Sequence, residues 1–219
     1  MPLQNRVTPF GDIIADPARG EFMGNRGILH DPATRTLTRR RWATQAWIIC
    51  LCAFSGRKRT LMAPGRYTEL FFLDEATALA AGHRPCFECR RGDALAFRDA
   101  WARGLGEPAP RAAAMDAVLH RERLDGREKR HHPLPRPVHT FPDGAMVADA
   151  ATAYVVAGGE TFRGSPAGYA PGRPGPDAAL LTPPSTLAAL VAGYAPGLHP
   201  SVRLTAGDAD RRETDTRVS

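Results

Sequence analysis

The chain predicts an α+β protein in which a small mixed sheet and its flanking helices surround a cysteine-rich knuckle, followed by a small β-rich segment with a terminal helix. Three observations lead there. Apolar runs of strand length, AWIICLCAF over 46–54 and YTELFFL over 67–73, precede the first helical pattern. Capped helical stretches then surround the pair Cys86 and Cys89. Finally, short apolar runs after residue 145 turn around Gly158 and Gly159, two adjacent glycines of the kind that close a hairpin.

Residues 1–45 alternate short apolar runs with turn pairs such as Asp16-Pro17, Gly24-Asn25 and Asp31-Pro32, which predicts loops and short strands. Within them, Gly24-Asn25-Arg26-Gly27-Ile28-Leu29-His30 gathers an amide, a guanidinium and an imidazole on a backbone that two glycines leave unshielded. That pattern allows close approach to a ligand, and an ordinary hairpin turn is the simpler reading. The two apolar runs follow, separated by the basic turn Gly56-Arg57-Lys58-Arg59.

Asp74 is placed to cap a helix over 74–81, with Gly82 as the left-handed stop and Pro85 beyond it. Further helices are predicted over 93–103 and 111–124, the second ending at Asp125-Gly126. The run 126–142 is basic and broken by Pro133, Pro135, Pro137 and Pro142, so it reads as a boundary. Near the end, Ser185 or Thr186 is the expected cap of a last helix stopped by Gly193. The organisation expected is therefore a metal-binding domain over 1–105, a helix and Pro-rich linker over 106–140, an α+β domain over 141–205 and a disordered tail over 206–219.

A hydrophobic fraction of 43% in 219 residues is ample for a packed core. No run approaches the ~18 apolar residues of a membrane span, and MPLQNRVTPF lacks the apolar centre of a signal peptide, so a cytoplasmic protein without a membrane partner is expected. Charge is uneven: residues 1–136 hold 23 Lys+Arg against 15 Asp+Glu, net +8, whereas 137–219 hold 6 against 8, net −2. All but Lys58 and Lys129 of these cations are arginines, whose guanidiniums fork onto phosphates. Codon bias is the bland account of so much arginine, and it does not account for the clustering. A nucleic-acid partner is therefore expected, DNA rather than RNA, with Arg57, Lys58, Arg59, Arg84, Arg90 and Arg91 on its phosphates.

All four cysteines, Cys50, Cys52, Cys86 and Cys89, fall within forty residues, which in a cytosolic chain favours a metal over disulfides. The x2 spacing of Cys86 and Cys89 lets both thiolates meet one tetrahedral ion, and zinc is the expected cofactor. Cys50 and Cys52 are harder to join to it. Two residues of strand rise hold their Cβ atoms about 6.6 Å apart, while thiolates sharing a zinc lie roughly 3.8 Å apart. Three arrangements stay open: four cysteines on one ion, one of this pair with His83 or His30, or no metal. Redox chemistry at Cys86 is disfavoured, because an activated C-x2-C thiol sits at a helix N-terminus and Cys86 follows a helix end.

Leu70-Phe71-Phe72, the Glu75-Ala76 helix start, Ala80-Ala81-Gly82-His83-Arg84-Pro85-Cys86 and Cys89-Arg90 together resemble the metal-binding domain of the Ada family, which repairs methylphosphotriesters in DNA. The likeness is good over about 25 residues and loose over about 50, roughly residues 50–91. It implies a zinc held by four cysteines, a basic surface on the DNA backbone, and a zinc-bound thiolate that accepts a methyl group. Cys86 and Cys89 match the family's second ligand pair, and Arg84 and Arg90 its basic flank. Cys50-Leu51-Cys52 departs from the family's C-x3-C first pair in both spacing and position. The resemblance thus implies a relative of the scaffold, with a link to DNA repair or its regulation.

Binding is the favoured function class, and two enzymatic alternatives stand beside it. One is alkyl transfer to a zinc-bound cysteine. The other is a metal-dependent nuclease built from His120, His131, His132 and His139 with Asp116, Asp125 and Asp143, although no nuclease spacing is present. No P-loop, Rossmann fingerprint or G-x-S-x-G elbow occurs, which sets nucleotide and acyl chemistry aside.

Overall fold

A computed structural model describes residues 1–57 and 60–202. In chain order the first half contains β1 (Gln4–Val7), β2 (Ile13–Ala15), β3 (Phe22–Asn25), β4 (His30–Asp31), β5 (Thr36–Leu37), β6 (Ile48–Leu51), β7 (Leu70–Phe72), α1 (Glu75–Ala80), β8 (Arg84–Pro85) and α2 (Arg91–Leu105). The second half contains α3 (Ala112–Arg123), β9 (Leu124–Asp125), β10 (Glu128–Lys129), β11 (Met146–Asp149), β12 (Thr152–Ala157), β13 (Glu160–Ser165), β14 (Gly168–Pro171), β15 (Ala179–Leu180) and α4 (Pro184–Val191). The fold is mixed α+β, as expected. The expected tail over 206–219 lies outside the described residues, as do Lys58 and Arg59.

Six strands form the first sheet in the order β2-β1-β7-β3-β6-β8, with β6–β8 and β1–β7 parallel and the other pairs antiparallel. Gly24 is required where β3 meets β6, because a Cβ there would lie 2.1 Å from the Ile48 carbonyl oxygen. That glycine therefore serves strand packing, not close approach to a ligand. The second sheet is an antiparallel array, β14-β13-β12-β11-β15. Its β12–β13 hairpin turns on Gly158 and Gly159 at φ +58° and +77°, the left-handed pair that matches strand twist.

Helix α1 lies between the sheets, and every one of its residues is buried. Ala78 and Leu79 join the core that contains Leu70, Phe72, Val147 and Val156, while Ala76 and Ala80 join the one containing Met146, Val155 and Phe162. Its caps follow the sequence reading: Asp74 accepts the Thr77 N–H at 2.8 Å, and Gly82 ends it at φ +91°. Helix α4 differs from expectation. Its N-cap is Pro183 with no side-chain cap, because the Ser185 hydroxyl is bonded to the Glu122 carboxylate at 2.5 Å instead.

Packing runs across the boundaries suggested by composition. Leu29 and Phe72, Met115 and Leu119 of α3, and Val147 and Leu190 share one apolar core. The run 126–142 holds no α-helix, although Val138–Thr140 forms one 3-10 turn, and it is not a free linker: β9 and β10 pair as a hairpin, and His132 exchanges backbone hydrogen bonds with Leu180 at 2.8 and 3.0 Å. No described helix is long and apolar enough to cross a membrane.

Candidate metal centre

Parallel pairing of β8 with β6 builds the centre. Ile48 and Ile49 register with Arg84 and Pro85, and the Cys86 N–H donates to the Ile49 carbonyl at 2.9 Å, which seats the knuckle beside Cys50 at the end of β6. The turn then enters α2, with the Arg90 N–H donating to the Cys86 carbonyl at 3.1 Å. Cys50 and Cys86 are buried with Met23, and Tyr67, Phe71 and Cys89 pack around them.

The sulfurs of Cys50, Cys86 and Cys89 all lie within 4.8 Å of one another. Against roughly 3.8 Å for thiolates on one zinc, they need move inward by no more than about an ångström. Among the described residues this is the one set of three or more His, Cys, Asp or Glu donors so gathered. None of the four cysteines is in a disulfide. A hydrogen bond from the Cys50 thiol, helped by the N–H groups of Cys89 and Glu88, pulls Cys86 down to about 5 against the opposing effect of burial. The same bond and burial push Cys50 up, and burial pushes Cys89 up. An all-sulfur donor set with one thiolate favoured in advance suits a thiophilic ion such as zinc.

Cys52 requires a correction, because it lies outside the three-sulfur set. Strand β6 ends at Leu51, and the exposed Cys52 thiol donates to the Glu21 carbonyl at 3.4 Å. The two-residue separation foreseen from strand geometry is what divides the pair. Nor does either histidine complete the set. His30 Nδ1 is bonded to Thr68 at 2.8 Å, and His83 is enclosed against Arg26, Trp47 and Phe72.

Arg84 and Arg90 require a second correction as phosphate contacts. Arg84 forks onto Asp116 through two 2.8 Å bonds, and Arg90 bonds Glu75 at 2.8 Å and Asp93 at 2.9 Å, with only 5% and 6% of the two arginines exposed. Glu75 also accepts the Tyr194 hydroxyl at 2.6 Å. These guanidiniums brace the knuckle against α1, α2 and α3 and present no face to a duplex. Arg57 and Arg91 are exposed, Arg57 in an ion pair with Glu88.

The histidines and acids of the nuclease alternative do not converge. His120 is bonded to Arg123, His132 to the Glu122 carbonyl, and Asp143 to the Gly158 N–H, while Asp116 is taken by Arg84.

One assembly has no local signal in the sequence. The Arg26 and Arg123 guanidiniums, each 1% exposed, both lie 3.8 Å from the Trp47 ring, and Arg26 Nε donates to His83 at 3.2 Å. Lys129 donates to the Ala80 carbonyl at 2.5 Å. No carboxylate pairs with any of these cations among the described residues. Burial lowers all of them: with repulsion from Arg123 it lowers Arg26, with repulsion from Arg123 and Arg26 it brings Lys129 to about 7 and holds His83 well below the usual imidazole range, and against the pull of Asp116 it brings Arg123 to about 9. The GNRG motif drew attention to Arg26, but nothing near it marks residues 47, 83, 123 and 129 as its neighbours.

No family model, curated protein or solved structure matches this chain.

Proposed function

We propose that this is a zinc-supported nucleic-acid-binding protein, with DNA as its partner, in which Cys50, Cys86 and Cys89 hold the ion. The gathering of three sulfurs within 4.8 Å is the observation that carries the reading. Three protein ligands leave a fourth position, which water would fill. The ion would tie β6 to the β8–α2 turn and so fix the surface that bears Arg57 and Arg91. Support for nucleic acid comes from the net charge of +8 in residues 1–136 and from the partial Ada resemblance. With Cys52 apart from the other sulfurs, binding is preferred to alkyl transfer.

Metal analysis of the purified protein is expected to find about one zinc per chain, and a folded sample with no metal would remove the structural role. Titration with duplex DNA is expected to show affinity falling at least about tenfold between roughly 50 and 200 mM salt, as counterion release requires. Undetectable or salt-independent binding would end the nucleic-acid reading while leaving the metal site intact.

A further inference from the structure

The buried cations open onto a second site. A cleft of about 270 Å³ runs between the β1–β2 turn and the segment after β5, lined by Gly11, Asp12, Arg26, Arg39, Arg40 and Arg41 among others. Arg26 forms its floor. Its Nη1 is fixed by the Gly11 carbonyl at 2.8 Å, while its Nη2, also buried, has no hydrogen-bond partner. Gly11 stands at φ +82° beside that edge, where a Cβ would meet Nη2 at an ordinary contact distance of 3.6 Å.

The arginine-rich rim is held in place. The Thr38 N–H donates to the Leu29 carbonyl at 2.8 Å, the Ala43 N–H to the Arg26 carbonyl at 2.8 Å, and Arg127 to the Arg39 carbonyl at 2.9 Å. Asp12 is the acid in the lining, and Arg41 neutralises it at 2.8 Å while reaching Glu128 at 3.4 Å. The side chains of Arg39 and Arg40 are exposed and enter no ion pair among the described residues. The cleft therefore offers one buried and two exposed guanidiniums in excess of its acids.

We infer that this cleft is an oxyanion site that takes a phosphoryl group, with Arg26 at its base and Arg39 and Arg40 closing over it. A buried guanidinium with an unused N–H edge is costly to leave unpaired. Several guanidiniums lining one cleft suit a tetrahedral dianion better than the single plane of a carboxylate. The site is distinct from the sulfur cluster and stands whether or not zinc is bound. The phosphoryl group could belong to a small phosphorylated ligand or to a nucleic-acid backbone, and one experiment separates them.

Calorimetric titration of the metal-loaded protein with inorganic phosphate, at fixed ionic strength in chloride, is expected to show one saturable site. The double variant Arg39→Gln, Arg40→Gln is expected to weaken it about tenfold or more. Arg26→Lys, which keeps the charge but loses the Nη2 edge, is expected to abolish it if the variant folds. No saturable binding by the wild type, or equal binding by the rim variant, overturns the inference. A short DNA duplex that displaces phosphate from the wild type identifies the occupant as backbone phosphate. A duplex that leaves phosphate bound identifies a small phosphorylated ligand, and this result would not depend on whether DNA binds elsewhere.

Discussion

The sulfur cluster and the cation cluster both bring like groups together inside the protein, yet they resolve their shared chemistry in opposite ways. At the sulfurs, protons can leave: Cys86 is held as a thiolate by its neighbours, Cys50 and Cys89 keep their protons, and a cation can replace those protons. At Arg26, Arg123 and Lys129 the like charge is tolerated by Trp47 and backbone carbonyls, without a carboxylate. A cation would complete the first cluster, and an anion or the loss of a proton would relieve the second. A third arrangement lies between them, the buried pairs Arg84–Asp116 and Arg90–Glu75, where both charges come from the protein itself.

The largest effect is expected at the sulfurs. Cys86→Ser should take the zinc content from about one per chain to near zero, and Cys52→Ser should leave it near one; elemental analysis of the two purified variants decides. The apolar core around α1 should keep Cys86→Ser folded, unlike a small finger that depends on its ion. Equal loss of metal in both variants would mean that Cys52 swings in as a ligand, and the three-sulfur description would fail.

Next comes the internal pair. Arg90→Ala removes the counter-charge of Glu75, 2% exposed, and leaves that carboxylate with only the Tyr194 hydroxyl and the Gly197 N–H. A loss of about 3–5 kcal/mol in urea unfolding is expected. Arg57→Ala, by contrast, should leave stability unchanged, because its partner Glu88 is exposed. Similar small effects at both positions would place Arg90 back among the surface arginines.

This contrast also explains what the sequence could disclose. The knuckle was legible because its determinants are contiguous: Asp74, Gly82, Pro85, Cys86 and Cys89 each act within a few residues of themselves. The separation of Cys52 from Cys50 was legible too, since strand rise is a local property. Arg84 and Arg90 misled because a guanidinium that forks onto a carboxylate reads the same as one that forks onto a phosphate. Their acids, Asp116 and Glu75, are chosen by tertiary packing, 32 and 15 residues away. For the same reason, the pairing of β8 with β6 and the meeting of Arg26 with Trp47 and Arg123 leave no periodic trace.

The smallest effect at neutral pH and below concerns Lys129. Burial and the neighbouring Arg123 and Arg26 lower it from its usual range to about 7. Between about pH 7 and 10 the unfolded chain holds the proton that the folded chain has released, so stability should rise with pH across that window. Below about pH 7 both states are protonated and the folded chain carries the full cost of a half-buried third cation beside Arg26 and Arg123. Lys129→Met removes that cost at the expense of the bond to the Ala80 carbonyl, for a net gain of about 1 kcal/mol at pH 6. The gain should vanish and turn into a loss as the pH rises toward 10, because the wild type gains about 1.4 kcal/mol per pH unit across the window while Lys129→Met does not titrate. Urea unfolding of both proteins at pH 6, 7, 8 and 9 tests this through the gap between the curves. A gap that stays constant with pH would show that Lys129 keeps its charge at all these values, and that the cation cluster, like the ion pairs beside the knuckle, is balanced from within.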